Sequence, residues 1–321
     1  MTTRRILVIG GSGFVGSHLI AALSHYDVRI IVPTRRAHRA RHLLPFPTVD
    51  VVTANIYDDA TLAQLVKGQD AVINLVGILK GGTGRTRGEP WGSGFDKAHV
   101  QLAASVARAA HAAAVPRLLH MSALKADGTA PSAYLRSKAA GEAAVREAFP
   151  AATIFRPSVI FGQGDSFLTL FASLARLAPV LPLACPAARF QPVWVADVAA
   201  TMAESLVRPQ SAGQTYELCG PRVYALHELV RYAAQVAGSR ARILPLGTAL
   251  SWLQALAMEL VGGPMTRDNV ASMQVPNTCA VDCTLPFGRQ AAALEEIAPT
   301  YLADGRHRAG FDGFREAAGR Q

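Results

Sequence analysis

The stretch ILVIGGSGFVGSHLIAAL (residues 6–23) constrains this chain more than any other part of it. Ile6 to Ile9 form a short run with no polar position, the pattern of a strand covered on both faces. Three glycines come next at a spacing of three, Gly10, Gly13 and Gly16, and a helical apolar pattern begins at Phe14. Gly10 lets the chain turn sharply off the strand, Gly13 lets backbone approach a ligand, and Gly16 lets the helix pack against the sheet. The helix start offers unpaired N–H groups and a partial positive charge, a site for an anion such as a pyrophosphate. A glycine triplet alone says little. Between a strand and a helix, at the head of a βαβ series, it points to a dinucleotide.

The series is present. VRIIVP (28–33), TVDVVTAN (48–55), DAVINLVG (70–77), RLLHMS (117–122) and ATIFRPS (152–158) are predicted strands. Helices are predicted over 59–67, 95–113 and about 132–149. Short apolar strands alternating with helices mean a parallel sheet covered on both faces, so the predicted fold is α/β, a doubly wound Rossmann sheet. After about residue 165 the rhythm loosens, and Pro179, Pro182, Pro186 and Pro192 crowd together. Helical stretches near 165–177, 197–207, 226–237 and 248–261 suggest a smaller, mostly helical C-terminal lobe. The expected organisation is a dinucleotide-binding domain over 1–165 with returns near 191–207 and 241–247. A substrate or docking lobe over 166–304 is interleaved with it, and a basic tail covers 305–321. The glycine-rich segment 80–94 reads as a mobile loop.

The chain carries 32 Lys and Arg against 23 Asp and Glu, a formal charge of +9. These cations are spread along the chain with no motif that reads nucleic acid, so nucleic acid is not expected as a partner; a basic face towards an anionic membrane surface is the better fit. No apolar run is long enough to span a bilayer, and the first strand starts too early to leave room for a signal peptide. Cys185, Cys219, Cys279 and Cys283 lack a second pair or histidine cluster, so no metal is expected. They read as reduced thiols of a cytoplasmic protein, peripheral on the inner face of a membrane if the charge is used there.

The second strand ends in PTRRAHRAR (33–41), with no acid between Arg29 and Thr48. A carboxylate at that strand end would bind the ribose 2′-hydroxyl of NAD and repel a 2′-phosphate. Arg35 and Arg36 stand there instead, Arg35 being the better placed, and a guanidinium pairs with phosphate bidentately. NADP(H) is therefore the preferred cofactor, with NAD(H) the alternative, while Arg39 and Arg41 read as a solvated turn. Asn55, ending strand three, is placed for the adenine edge, and Gly77, ending strand four, leaves room for the cofactor.

In YLRSK, Tyr134 and Lys138 are four apart and share one helix face. An ammonium beside a phenol favours phenolate and lowers the tyrosine pKa; the lysine can also hold a nicotinamide ribose. The glycine triplet, NLVG, HMSA and Tyr-x-x-x-Lys together resemble the short-chain dehydrogenase/reductase superfamily in its extended form. NLVGILKGG, PRLLHMSALKADGTAPSAYLRSKAAGE, FRPSVIFGQGDSFLTLFASLA, RFQPVWVADVA and MTRDNVASM resemble, more narrowly, the accessory NADPH-binding subunits of respiratory complex I and their bacterial relatives. The resemblance reaches about Leu302. It implies a nucleotide site at Gly10, Gly13, Phe14, Val15, Arg35, Asn55, Val76, Gly77, Tyr134, Lys138 and the loop Pro157, Ser158, Val159, to which the spacing adds Gly16 and Arg36.

In catalytic members of the superfamily a Ser-Ser or Ser-Thr pair after strand five supplies a donor beside the tyrosine. This chain has Ser122-Ala123. Losing such a donor costs on the order of a hundredfold in rate. A catalytic set of Tyr134, Lys138 and Ser122 is thus weakened, and His99 replaces a frequent Asn, reading as a helix-packing residue. Two readings stay open: a nucleotide-holding accessory protein, or an active NADP-dependent reductase, epimerase or dehydratase on a carbonyl or nucleotide-sugar substrate. In the lobe, Gln163, Asp165, Arg189, Gln191 and Asp197 are the polar candidates, Asp197 equally an N-cap. Residues 245–263 read as a core helix or, alternatively, an exposed docking surface. A dimer through helices 95–113 and 132–149 and a monomer are both compatible with the sequence.

Overall fold

In the computed structural model, which describes residues 4–81, 86, 88–280 and 284–303, the chain divides into two units. Unit 1 comprises residues 1–158, 195–219 and 279–290, and unit 2 comprises 159–194, 220–278 and 291–321. The tail 305–321, residues 82–85 and 87 of the glycine-rich loop, and Cys283 lie outside the described residues.

Unit 1 is built on a sheet of seven parallel strands. These are β1 (Arg4–Ile9), β2 (Val28–Thr34), β3 (Val49–Thr53), β4 (Ala71–Asn74), β5 (Arg117–Met121), β6 (Thr153–Pro157) and a last strand, Thr215–Leu218. Their spatial order is Thr215–Leu218, β6, β5, β4, β1, β2, β3. The chain runs outward from β1 through β2 to β3, then restarts at β4 on the other side of β1. Ligands of such sheets bind where the order reverses, outside the carboxyl ends of β1 and β4. Ile6 to Ile9 are all buried, as their unbroken apolar run requires. Helix Leu102–Ala112 lays Leu102, Ala103, Val106, Ala107 and Ala110 against a core with Leu7, Ile9, Val72 and Leu118. Each large side chain of this core contributes about 1.5–3 kcal/mol on full burial. On α1 (Phe14–Leu23) packs helix Val195–Ser205.

The structure departs from the sequence reading in four places. The helix predicted over 95–113 is interrupted: a π-helical segment, Asp96–Gln101, precedes Leu102–Ala112. The return expected near 241–247 does not reach the main sheet, since Arg242–Pro245 pairs with Val180–Leu183 inside unit 2. Thr215–Leu218 is the strand that comes back; only four residues long, it gives little pattern to read. Of the return near 191–207, Val193–Trp194 pairs within unit 2 and helix Val195–Ser205 belongs to unit 1. Finally, Cys219 and Cys279 form a disulfide with Cα atoms 6.1 Å apart. Sixty residues separate them, and only the fold brings the end of the last strand beside the returning chain. The reduced-thiol expectation is overturned there, and with it the support the thiols gave to a cytoplasmic location; Cys185 remains a free thiol.

Unit 2 packs helices Leu168–Leu177, Leu226–Val236 and Leu294–Leu302 around Phe161, Leu168, Leu229, Ala233 and Ala298. Among the described residues no helix is long and apolar enough to cross a membrane, and no group of three or more His, Cys, Asp or Glu could hold a metal ion.

Candidate functional site

The glycine loop has the geometry its spacing implies. Gly10 has φ +86°, and a Cβ there would stand 3.3 Å from the Leu75 backbone, so the loop lies against the end of β4. A Cβ on Gly16 would fall 2.5 Å from the Gly10 oxygen and from the Cα and oxygen of Gly11. The first turn of α1 thus sits directly on the loop, its N-cap Gly13 in extended conformation. Phe14 and Val15 begin the helix behind it.

Arg35 and Arg36 come after β2, exposed, and neither guanidinium has a partner among the described residues. Thr34 Oγ1 accepts from Arg36 N–H, fixing the strand end, and residues Ala37–Leu43 continue as a 3-10 helix. His42 Nε2 lies 2.8 Å from Ser17 Oγ, which donates to the Gly13 carbonyl. This link ties the arginine segment to the phosphate loop, and a histidine in a basic turn gives no sequence signal for it. Asn55 is exposed and its Oδ1 already accepts from Tyr57 N–H, leaving the amide nitrogen for a ligand.

At the end of β4, Val76 N–H donates to Asn74 Oδ1, and Asn74 Nδ2 approaches His120 Nδ1 at 3.3 Å. Asn74 and His120 are register partners on adjacent strands. The sequence reading misses this brace too, although a polar residue near the end of each of two apolar strands is a legible sign. Gly77 lies against the lysine: a Cβ there would stand 3.1 Å from Lys138 Nζ, which would have to give way slightly.

Helix Ala133–Ala148 begins at Ser132, whose side chain caps it by accepting from Leu135 N–H. It carries Tyr134, Lys138 and Glu142 at a spacing of four. Lys138 Nζ donates to the Met121 carbonyl at 3.2 Å, and burial pulls its pKa down to about 8 against the opposing pull of Glu142. Glu142 is in turn held by a bidentate Arg156 at 2.6 to 3.2 Å. Burial pushes the Tyr134 phenol up to about 12. The phenolate-favouring effect expected from the lysine is therefore not what the site displays: desolvation wins for both groups.

His99 packs against Phe95 and Tyr134 as a helix-packing residue should, and in addition both ring nitrogens are engaged. Nε2 accepts from Ile78 N–H at 3.0 Å, and Nδ1 lies 2.9 Å from Ser137 Oγ. Ser137 Oγ donates to the Tyr134 carbonyl at 2.8 Å. His99 sits in the π-helical segment, a local distortion frequent at functional sites. Gly141 lets the tyrosine helix touch it, since a Cβ there would fall 2.1 Å from the His99 carbonyl oxygen.

Ser122, next to Met121, is buried with its Oγ unpartnered among the described residues. A buried hydroxyl without a partner is uncommon and fits a ligand group. Pro157 and Ser158 end β6, buried, with the Pro157 carbonyl accepting from Leu124 N–H and Ser158 N–H donating to the Leu218 carbonyl. Val159 belongs to unit 2 and gives its N–H to Asn277 Oδ1. The residues of unit 1 fit a nicotinamide dinucleotide: a tight glycine cradle after β1, guanidinium groups without partners among the described residues beyond β2, and a lysine and an unpartnered hydroxyl at the end of β5.

The polar candidates of the lobe prove mostly structural. Asp165 accepts from the N–H groups of Gly162, Phe167 and Thr169 and from the Tyr301 hydroxyl, which closes its own turn. Gln191 Nε2 donates to the Gly220 carbonyl. Asp197 lies buried in the first turn of helix Val195–Ser205 rather than capping it. Gln163 and Arg189 are exposed.

Residues 6–219 match the NAD dependent epimerase/dehydratase family. The chain is 32% identical over 231 residues to the mouse NADH dehydrogenase [ubiquinone] 1 alpha subcomplex subunit 9, covering 70% of this chain and 59% of that protein. Against the Arabidopsis thaliana subunit the identity is 34%, with 69% and 55% covered. The chain thus spans less than two thirds of these relatives. It is 33% identical to a ceramide reductase of Caulobacter vibrioides, with 75% of this chain and 73% of that one covered. Among solved structures, a dTDP-glucose 4,6-dehydratase from Streptomyces venezuelae with NAD bound aligns at TM-score 0.71 and 19% identity, over 96% and 98% of the two chains. An NADPH-dependent quinone oxidoreductase from Escherichia coli, complexed with NADPH, aligns at 0.71 and 21%, over 92% and 99%. The doubly wound fold and the resemblance read from the motifs are both borne out. With its glycine cradle at the β1–β4 switch and its Tyr134–Lys138 helix beside it, the chain belongs to the NAD dependent epimerase/dehydratase family.

Proposed function

We propose that unit 1 holds NADP(H) tightly, in preference to NAD(H), and that the chain serves as an accessory nucleotide-binding protein of a respiratory complex, a reading supported by relatives named as NADH dehydrogenase subunits. One observation carries this reading. Ala123 stands where catalytic members of the superfamily carry a second hydroxyl, and Lys138 Nζ is held by the Met121 carbonyl, so the pair is better suited to grip a ribose than to turn over a carbonyl. The glycine loop and α1 hold the pyrophosphate, Arg35 and Arg36 pair with the 2′-phosphate, Asn55 meets the adenine, and Lys138 with Tyr134 grips the nicotinamide ribose. When bound, NADPH supplies a hydride. Ligand at about a hundred times its dissociation constant would also stabilise the fold by about 2.7 kcal/mol.

A second reading, a reductase on a carbonyl substrate, is favoured by the unpartnered Ser122 Oγ and by the ceramide reductase relative. The two separate on one experiment. The absorbance of bound NADPH is followed while the protein is offered quinones, ketones and nucleotide sugars. It is expected to hold steady; oxidation within seconds by any of them would overturn the accessory reading.

A further inference from the structure

Helix Thr248–Leu260 turns Ser251 and Ala255 inward, where they are buried. Cys185 N–H donates to Ser251 Oγ at 3.1 Å, and Gln254 Nε2 donates to the Pro182 carbonyl at 3.0 Å, so the helix is fixed against strand Val180–Leu183. At 100° per residue, the side opposite Ser251 and Ala255 consists of Ala249, Leu250, Leu253, Leu256, Ala257 and Leu260. All six are exposed, Leu253 by 60% and Leu260 by 79%, and none is charged. The helix's one charge, Glu259, lies off this face and pairs with Arg267.

The ribbon against which the helix is fixed also exposes apolar side chains. Val180 is in register with Arg242, and Pro182 with Leu244. Alternation puts these four on one face, and all four are exposed. Scattered exposed leucines are ordinary, but six exposed uncharged side chains gathered on one helix face mark an interaction surface.

The charges around it choose the partner. From Leu229 to Met258 there is no acid, whereas Arg231, Arg240 and Arg242 fall in that stretch. The Arg240 and Arg242 side chains are exposed and have no partner among the described residues. A leucine-rich face with unpaired arginines nearby, and with the helix's one acid neutralised by Arg267, is the pattern of a protein that lies in a membrane interface and reads anionic headgroups. We infer that unit 2 docks on an anionic lipid bilayer through Leu250, Leu253, Leu256, Leu260 and Leu244, with Arg240 and Arg242 on the headgroups. This deepens the accessory reading, on which its biological meaning rests, by naming the bilayer itself as a partner.

The experiment is sedimentation of the full chain, loaded with NADPH, with vesicles of phosphatidylcholine alone and of equal parts phosphatidylcholine and phosphatidylglycerol. Binding is expected to the mixed vesicles and to be weak to the neutral ones. Arg240→Gln with Arg242→Gln should reduce it by about twenty-five-fold, each arginine counting roughly fivefold near an anionic surface. Leu253→Gln, Leu256→Gln and Leu260→Gln together should abolish it. These exposed positions should leave NADPH binding intact, which separates failure here from failure of the nucleotide site. Should the wild-type chain stay unbound with mixed vesicles, or the triple leucine variant bind as well as wild type, the proposal is overturned and the face belongs to a protein partner.

Discussion

His99 Nδ1 lies 2.9 Å from Ser137 Oγ, and because that hydroxyl gives its proton to the Tyr134 carbonyl, the imidazole must carry its own proton on Nδ1. Nε2 is then the acceptor that holds Ile78 N–H, one residue beyond Gly77. One neutral side chain thereby ties the end of β4 to the helix carrying Tyr134 and Lys138. His99→Leu leaves the half-buried Ile78 N–H without its acceptor and should destabilise the fold by about 1–3 kcal/mol. His99→Gln, which offers both a donor and an acceptor, should recover most of that loss. Denaturant midpoints of the two variants check it, and NADPH affinity should fall and recover in parallel.

The same burial gives a pH dependence. Burial, with Lys138 adding to it, pulls His99 down to about 2 and His120 to about 3. Unfolded, both titrate near 6.5, so below that pH the unfolded chain binds more protons and stability falls as pH falls. Each histidine should remove up to about 2 kcal/mol between pH 6.5 and about 5. Chemical denaturation across this range measures the slope. A flat profile would mean that one or both rings are charged or solvent-accessible in the folded protein.

Much of this is legible in the chain, for definite reasons. Gly10, with φ +86°, and Gly16, packed on the loop, are forced by local backbone demands, so the glycine spacing reads directly as a strand–loop–helix. Arg35 and Arg36 stand out through what is missing, an acid at the end of β2. The hidden features depend on neighbours distant in sequence. His99 and Ser137 are 38 residues apart, and Asn74 and His120 are 46 apart. The disulfide of Cys219 with Cys279 exists only because the last strand and the returning chain meet. The motif shows the lysine beside Tyr134 but not the burial that pushes the phenol upward.

Arg35→Asp replaces an unpaired guanidinium with a charge that repels a 2′-phosphate. A charge-assisted pair is worth about 1.5–3 kcal/mol, so NADPH should weaken by at least about tenfold. NADH, without that phosphate, should change little. Fluorescence titration with both nucleotides is the check; equal losses would remove the assignment.

Gly16→Ala places a methyl 2.5 Å from backbone atoms of Gly10 and Gly11, with no flexible side chain to yield. The loop or α1 must shift. Nucleotide binding should be lost in titration, and the thermal midpoint should fall even in the absence of nucleotide.

Reduction of the Cys219–Cys279 bond frees a long loop in the unfolded chain. Dithiothreitol should lower stability by about 2–4 kcal/mol, read as a shift in denaturant midpoint. Cys219→Ser should reproduce the reduced midpoint and then be insensitive to reductant.

The most direct measurement is NADPH binding and release on the purified protein, by nucleotide fluorescence, with NADH alongside. Tight, NADPH-selective binding with release over hours is the expected result, and it would exclude NADPH as a freely exchanging cosubstrate. Release within seconds would contradict a held nucleotide and favour a turning-over reductase. Failure to bind either nucleotide would contradict both functional readings.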